Sequence, residues 1–217
     1  MTELSNIVTN SYLILLLICH LLSDYYFQSQ KMADRKDQDI KVLGRHILYV
    51  ALPLFVVVLV HLDLWWICSL ILLSHAGIDY GKPWLQKKLK LKTSWTFALD
   101  QLLHIGIISC LVLLGAKNST SYLPMDSLKL IFYVLLVGKP TNIVFKILFG
   151  SMIGFLERLV IGACLLYGQF ASIGLVFTAK SIARYNKISE NPAFAEYYLI
   201  GSLFSILSAL FAAWLCL

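Results

Sequence analysis

Apolar runs close to membrane-spanning length follow one another along almost the whole chain, broken only by short polar loops. A bilayer core takes about 20 mostly apolar residues as a helix, since in lipid each backbone amide must bond within its own segment. The runs are approximately Ser11 to Phe27, His46 to Val60, Leu64 to Tyr80, Thr96 to Leu114, Leu128 to Val137, Ile147 to Leu166, Phe170 to Ala183 and Tyr197 to Leu217. The fifth and seventh are short for full crossings. The pattern predicts an all-α polytopic membrane helix bundle of about eight spans, in a range of about six to eight. With 59% hydrophobic and 14% charged residues, the chain is too apolar for a soluble fold. We read residues 1–217 as a single membrane domain. Its front half, 1–116, carries the polar groups discussed below, and its back half, 117–217, is expected to pack on it. The N-terminus lacks a basic leader region, so the first run is read as a retained span.

Orientation follows from the basic residues, because short loops rich in Lys and Arg stay on the cytoplasmic side. Alternating the loops puts Lys31 to Arg45, Lys82 to Lys92, and Lys139, Lys146, Lys180, Arg184 and Lys187 on one face. The opposite face receives the "VHLDLWW" turn and the "GAKNSTSYLP" loop, which places both termini outside. The net charge of +6 is thus a topology signal and predicts no nucleic-acid partner. The "NST" triplet at Asn118 is read as an ordinary polar loop. The five cysteines lie inside apolar runs without CxxC spacing and are read as small buried hydrophobes.

Ionisable residues inside spans are costly and mark functional sites by default. Here they recur as pairs four apart: His20 and Asp24 in "HLLSDYYFQ", His75 and Asp79 in "LLSHAGIDYGK", Asp100 and His104 in "ALDQLLH". Each pair occupies one helix face. The third run and the fourth run in opposite directions and carry the pair in opposite order, so every Asp lies shallow and every His deep on the cytoplasmic side. His46 falls at the same level. Gln28 extends the first face, and Gln101 neighbours Asp100.

Carboxylates gathered in a low dielectric repel, and a bound divalent cation removes the conflict. Mixed His and Asp ligation suits zinc, manganese or iron, whereas calcium and magnesium prefer oxygen shells. His20, Asp24, His46, His75, Asp79, Asp100 and His104 are therefore the candidate metal ligands. They are more than one tetrahedral ion uses, so one or two ions are expected, with Asp24, Asp79 or Asp100 free to act as a general base. In the back half, Glu157 and Arg158 sit mid-span in "GFLERLVIG", and Lys180 and Arg184 lie at a cytoplasmic helix end. They are read either as snorkelling, interface-seeking side chains or as a cradle for a phosphate or lipid headgroup.

These segments, together with "GFLERLVIGACLLYGQFASIGLVFTAKSIARY" and "FAEYYLIGSLFS", resemble the prokaryotic integral-membrane family known as domain of unknown function 3307. The resemblance extends over nearly the whole chain. Its pattern matches at His20, Asp24, Gln28, His46, His75, Asp79, Asp100, Gln101 and His104, and it implies a bacterial inner-membrane protein without supplying an activity. A looser resemblance to bacterial membrane-bound metal-dependent hydrolases rests on clustered His and Asp alone. Three functions follow as expectations: a metal-dependent hydrolase of a phosphoester, amide or ester, a divalent-cation or proton-coupled transporter, and a structural or regulatory scaffold. Membrane lipids are the expected partners; the oligomeric state is left open. The sequence carries no HExxH, GxSxG or phosphate-loop motif.

Overall fold

The structure, a computed structural model, describes residues 10–116, 122–150 and 154–216. The Asn118 triplet and residues 1–9 lie outside the described residues. Those described are helical throughout, without a strand, in the order α1 (Ser11–Leu21), a π-helical turn (Leu22–Phe27), α2 (Gln30–Ala33), α3 (Ile40–Val60), a 3-10 turn (Leu62–Leu64), α4 (Trp65–Leu89), α5 (Thr93–Gly115) and α6 (Met125–Val137). There follow α7 (Lys139–Phe149), α8 (Phe155–Leu166), α9 (Phe170–Ile182), α10 (Tyr185–Glu190) and α11 (Pro192–Cys216).

Five segments are long and apolar enough to cross a membrane: Ile40–Val60, Leu62–Leu89, Thr93–Gly115, Met125–Phe149 and Pro192–Cys216. Ser11–Phe27 and Phe170–Ile182 are shorter apolar stretches. The large apolar residues left exposed on them, such as Leu48, Leu52, Phe55 and Leu59 of α3 or Leu203, Leu207 and Phe211 of α11, would be an aggregation hazard in water and are the ordinary surface of a helix in lipid.

Several expected boundaries move. The second run begins at Ile40 because the Asp39 carboxylate accepts from Lys41 N and caps the helix there. The third continues past Tyr80 to Leu89, closed by Lys90 in the left-handed region (φ 50°). The run Ile147 to Leu166 is not one helix. Gly150 and Gly154 adopt positive φ (79° and 97°), a conformation glycine reaches at little cost, and they close α7 and open α8. Hydropathy alone does not register that break.

The chain divides into two compact units, Met1–Phe132 and Tyr133–Leu217, with the boundary inside α6. In the first, each long helix buries one stripe. On α4 it is Ile67, Ile71, His75 and Asp79; on α5 it is Thr96, Asp100, His104, Ile108 and Val112; on α3 it includes His46, Val50, Leu54 and Val57. Four-residue steps keep the stripe on one face. One end of each stripe joins an apolar core with Leu13 and Leu16 of α1, and the other end turns ionisable. The second unit packs through small side chains: Gly201, Ser205, Ala209, Ala212 and Cys216 form a buried face of α11, and Gly162 lies against the Tyr133 ring.

Candidate metal centre

Two local irregularities aim the first helix at the centre. Between Leu22 and Phe27 the chain widens into a π turn, with Gln28 N donating to Ser23 O (3.2 Å). Ser23, Asp24 and Tyr25 are all buried. The widened turn shifts the angular positions of these side chains relative to those of α1. Opposite, Pro53 inside α3 removes the amide that would bond to Tyr49 O. The Ser23 hydroxyl, which also donates to Cys19 O (2.8 Å), reaches that carbonyl at 3.4 Å.

At the centre four donor atoms converge. His46 Nε2 lies 3.1 Å from His75 Nε2, 3.1 Å from Asp79 Oδ2 and 3.5 Å from Asp24 Oδ1. His75 Nε2 lies 3.3 Å from Asp24 Oδ1 and 3.5 Å from Asp79 Oδ2. A tetrahedral ion with ligand bonds of about 2.0 to 2.1 Å has its donors about 3.3 to 3.4 Å apart, close to the 3.1 to 3.5 Å of these five pairs. All four side chains are buried, His46 completely.

Around this core the remaining pairs close in. His104 Nδ1 donates to the Asp100 carbonyl (2.8 Å), which fixes the tautomer and leaves Nε2 with a bare lone pair; that atom is buried without a hydrogen-bond partner. His20 Nε2 donates to Gln101 Oε1 (3.2 Å), leaving Nδ1 bare at 3.8 Å from Asp24 Oδ2. Gln101 Oε1 also accepts from Tyr25 (2.8 Å), and its amide donates to Asp100 Oδ2 (3.1 Å). His75 and His104 are in ring contact, with centroids 4.1 Å apart. Three groups have ligand atoms within 4.8 Å of one another: His20, Asp24 and His75; His46, His75 and Asp79; Asp79, Asp100 and His104. The structure thus gathers all seven side chains singled out in the sequence into one linked set.

Two members have no counterpart in the sequence reading. Lys36, expected only as a loop charge, is buried and donates to both Asp79 oxygens (2.8 and 3.1 Å). Burial works to lower its pKa, but the carboxylates of Asp79, Asp24 and Asp100 outweigh that and raise it above the ordinary lysine value. Lys82 lies 4.0 Å from Asp100 and 3.8 Å from Asp37. The counter-charge that seemed missing is therefore supplied in part by the protein. The hint in the sequence was weak: one lysine beside an aspartate in "RKDQD" and one three positions after an aspartate in "DYGK". A cavity of about 550 Å³ lined by Lys36, Asp37, Gln38, Asp39, Asp79 and Tyr80 leads from the surface to this edge.

Of the back-half residues, Glu157, Lys180 and Arg184 are linked through Lys180 and the Tyr198 ring, and Arg158 has contacts of its own. Glu157 pairs with Lys180, which also donates to Ser202 (3.2 Å) and sits over the Tyr198 ring. Arg158 is fully buried, donating to Val137 O (2.7 Å) and to Asn142, while its own carbonyl accepts from Tyr133 (2.9 Å). Arg184 lies over Tyr198. Of the five cysteines, Cys19, Cys68 and Cys216 are buried as expected; Cys164 is half-buried, and Cys110 is exposed on an apolar helix.

A family model matches the chain over residues 12–134, a stretch that contains every member of the His/Asp set together with Lys36 and Lys82 and leaves the back-half segments outside. No curated protein and no solved structure matches. The chain belongs to the family described as "Protein of unknown function (DUF3307)".

Proposed function

We propose that the chain is a multi-pass protein of the bacterial inner membrane that binds one or two divalent ions, with zinc, manganese or iron favoured, and uses a bound ion to hydrolyse a phosphoester, amide or ester. The observation that carries this reading is the spacing of His46 Nε2, His75 Nε2, Asp24 Oδ1 and Asp79 Oδ2, 3.1 to 3.5 Å over five of their six pairs. Buried nitrogens and carboxylate oxygens brought that close without a cation between them repel or must share protons. His104 and Asp100, with bare Nε2 and Oδ1 atoms beside Asp79, suit a second ion or the water bound to the first.

A metal lowers the pKa of its bound water to about 7 and polarises the scissile group. Asp100 is the base we assign. It takes the proton as the water oxygen bonds to the acyl or phosphoryl centre, and returns it to the leaving oxygen or nitrogen as that bond breaks. The proposed topology keeps the centre at the cytoplasmic end, beside Lys36, Lys82 and the lysines that follow Lys82.

The test uses the metal-loaded full chain in vesicles, with para-nitrophenyl phosphate and para-nitrophenyl octanoate as chromogenic probes. Turnover of at least one is expected, abolished by chelation and lowered about 100-fold or more in Asp100→Asn with its first ion retained. Metal flux across the vesicles without turnover of either probe would replace hydrolysis with transport.

A further inference from the structure

Asp100 faces two ways. Beyond the His/Asp set it lines a groove of about 220 Å³ between α4 and α5, together with Gly77, Ile78, Gly81, Leu99 and Leu103. Apart from Lys82, Gln86, Thr96 and Asp100, the side chains that line the groove are largely hydrocarbon. Its two walls belong to segments long and apolar enough to cross a membrane, which would set its open side against acyl chains. Gly77 and Gly81 make the room: a Cβ built on either meets nothing within 4 Å. Lys82 is half-buried between Asp100 and Asp37, Lys87 and Lys88 follow on the same helix, and Lys90 closes it. Asp100 Oδ1, in a residue only 6% exposed, has no hydrogen-bond partner.

We infer that this groove is the binding site of a phospholipid, one acyl chain lying between α4 and α5 and its phosphate meeting Lys82. The free Asp100 oxygen is then left to face the bond to be broken. The inference rests on the proposed hydrolytic centre for its consequence, since it makes the substrate a membrane lipid entering sideways from the inner leaflet. The match is one of both shape and charge. The carbon-lined length suits an alkyl chain, the lysine suits a phosphate, and the two features meet at the groove end that adjoins Asp79 and His104.

The full chain is tested in phosphatidylcholine nanodiscs containing either phosphatidic acid or diacylglycerol, each with a photoreactive diazirine in one acyl chain. After photolysis the labelled peptides are mapped by mass spectrometry, and metal content is measured on the same samples. Phosphatidic acid is expected to label the segments around Ile78 and Leu99–Leu103 about fivefold more than diacylglycerol, the preference one lysine confers near a membrane surface. Lys82→Gln should remove that preference, and Gly77→Leu, which fills the groove, should remove labelling by both probes. Gly106→Leu, equally unhindered on α5 but outside the groove, controls for the added leucine and should label as the parent does. Unchanged labelling in Gly77→Leu, or equal labelling by the two probes in the parent, with metal retained, would overturn the lipid site alone. The expected labelling on a chain that holds no metal would uphold the lipid site and overturn the hydrolytic reading.

Discussion

Lys36 is the residue that most alters the chemistry of the cluster. It brings a positive charge to the two oxygens of Asp79, and Asp79 Oδ2 is also one of the four converging donors. A metal and Lys36 therefore compete for the same carboxylate. Removing one partner of a buried ion pair strands the other, so Lys36→Met is expected to cost the metal-free protein about 3 kcal/mol, measured by thermal unfolding in detergent with a chelator present. The same variant should bind zinc more tightly than the parent, and saturating zinc should restore its melting temperature. Loss of zinc affinity in Lys36→Met would mean that the lysine supports the ion rather than competing with it. The sign with pH follows from the raised pKa: the pair stabilises fully below the ordinary lysine value and weakens as pH rises through the higher folded one. The metal-free parent should thus lose stability at strongly alkaline pH, and Lys36→Met should lack that component. None of this was legible in "MADRKDQD", where Lys36 reads as one of several solvated charges. Its burial depends on how the loop folds back over α4, which no local pattern encodes.

At the scale of elements, the four-residue spacing of His and Asp was legible because a helix converts that spacing into a shared face whatever surrounds it. The stripes on α4 and α5 are direct readings of it. The π turn at Leu22–Phe27 and its pairing with the carbonyl freed by Pro53 were not legible, because neither leaves a periodic trace. The glycine break after Phe149 was hidden for the complementary reason: the residues around it are as apolar as those of a continuous span. Close helix contacts in the second unit give a sharper prediction. A Cβ at Gly162 would run into the Tyr133 ring, whose hydroxyl is held by the Arg158 carbonyl and cannot easily move away. Gly162→Ala should therefore destabilise the protein by about 1 to 3 kcal/mol in detergent melts, despite the better helix propensity of alanine. A neutral or stabilising effect would mean that Tyr133 is free to swing.

Over the whole molecule, membrane character and helical class were legible from hydropathy. The tally of eight runs was a poorer guide, since five described segments meet the length and composition of a crossing and two are shorter. Orientation is open to a direct assay. In a chain freed of native cysteines, Leu62→Cys in the turn after α3 should react with a membrane-impermeant maleimide in intact spheroplasts, and Lys88→Cys only after lysis. The reverse pattern would invert the topology and move the His/Asp set to the other side. The central claim is that imidazoles and carboxylates from α1, the π turn, α3, α4 and α5 form one metal centre. Its most direct test is elemental analysis of the detergent-purified chain after equilibration with zinc, manganese or iron, beside a folded His46→Ala/His75→Ala variant. The account predicts one or two ions per chain in the parent and less than about a tenth of that in the variant. Equal metal in both, or none in the parent, would contradict it.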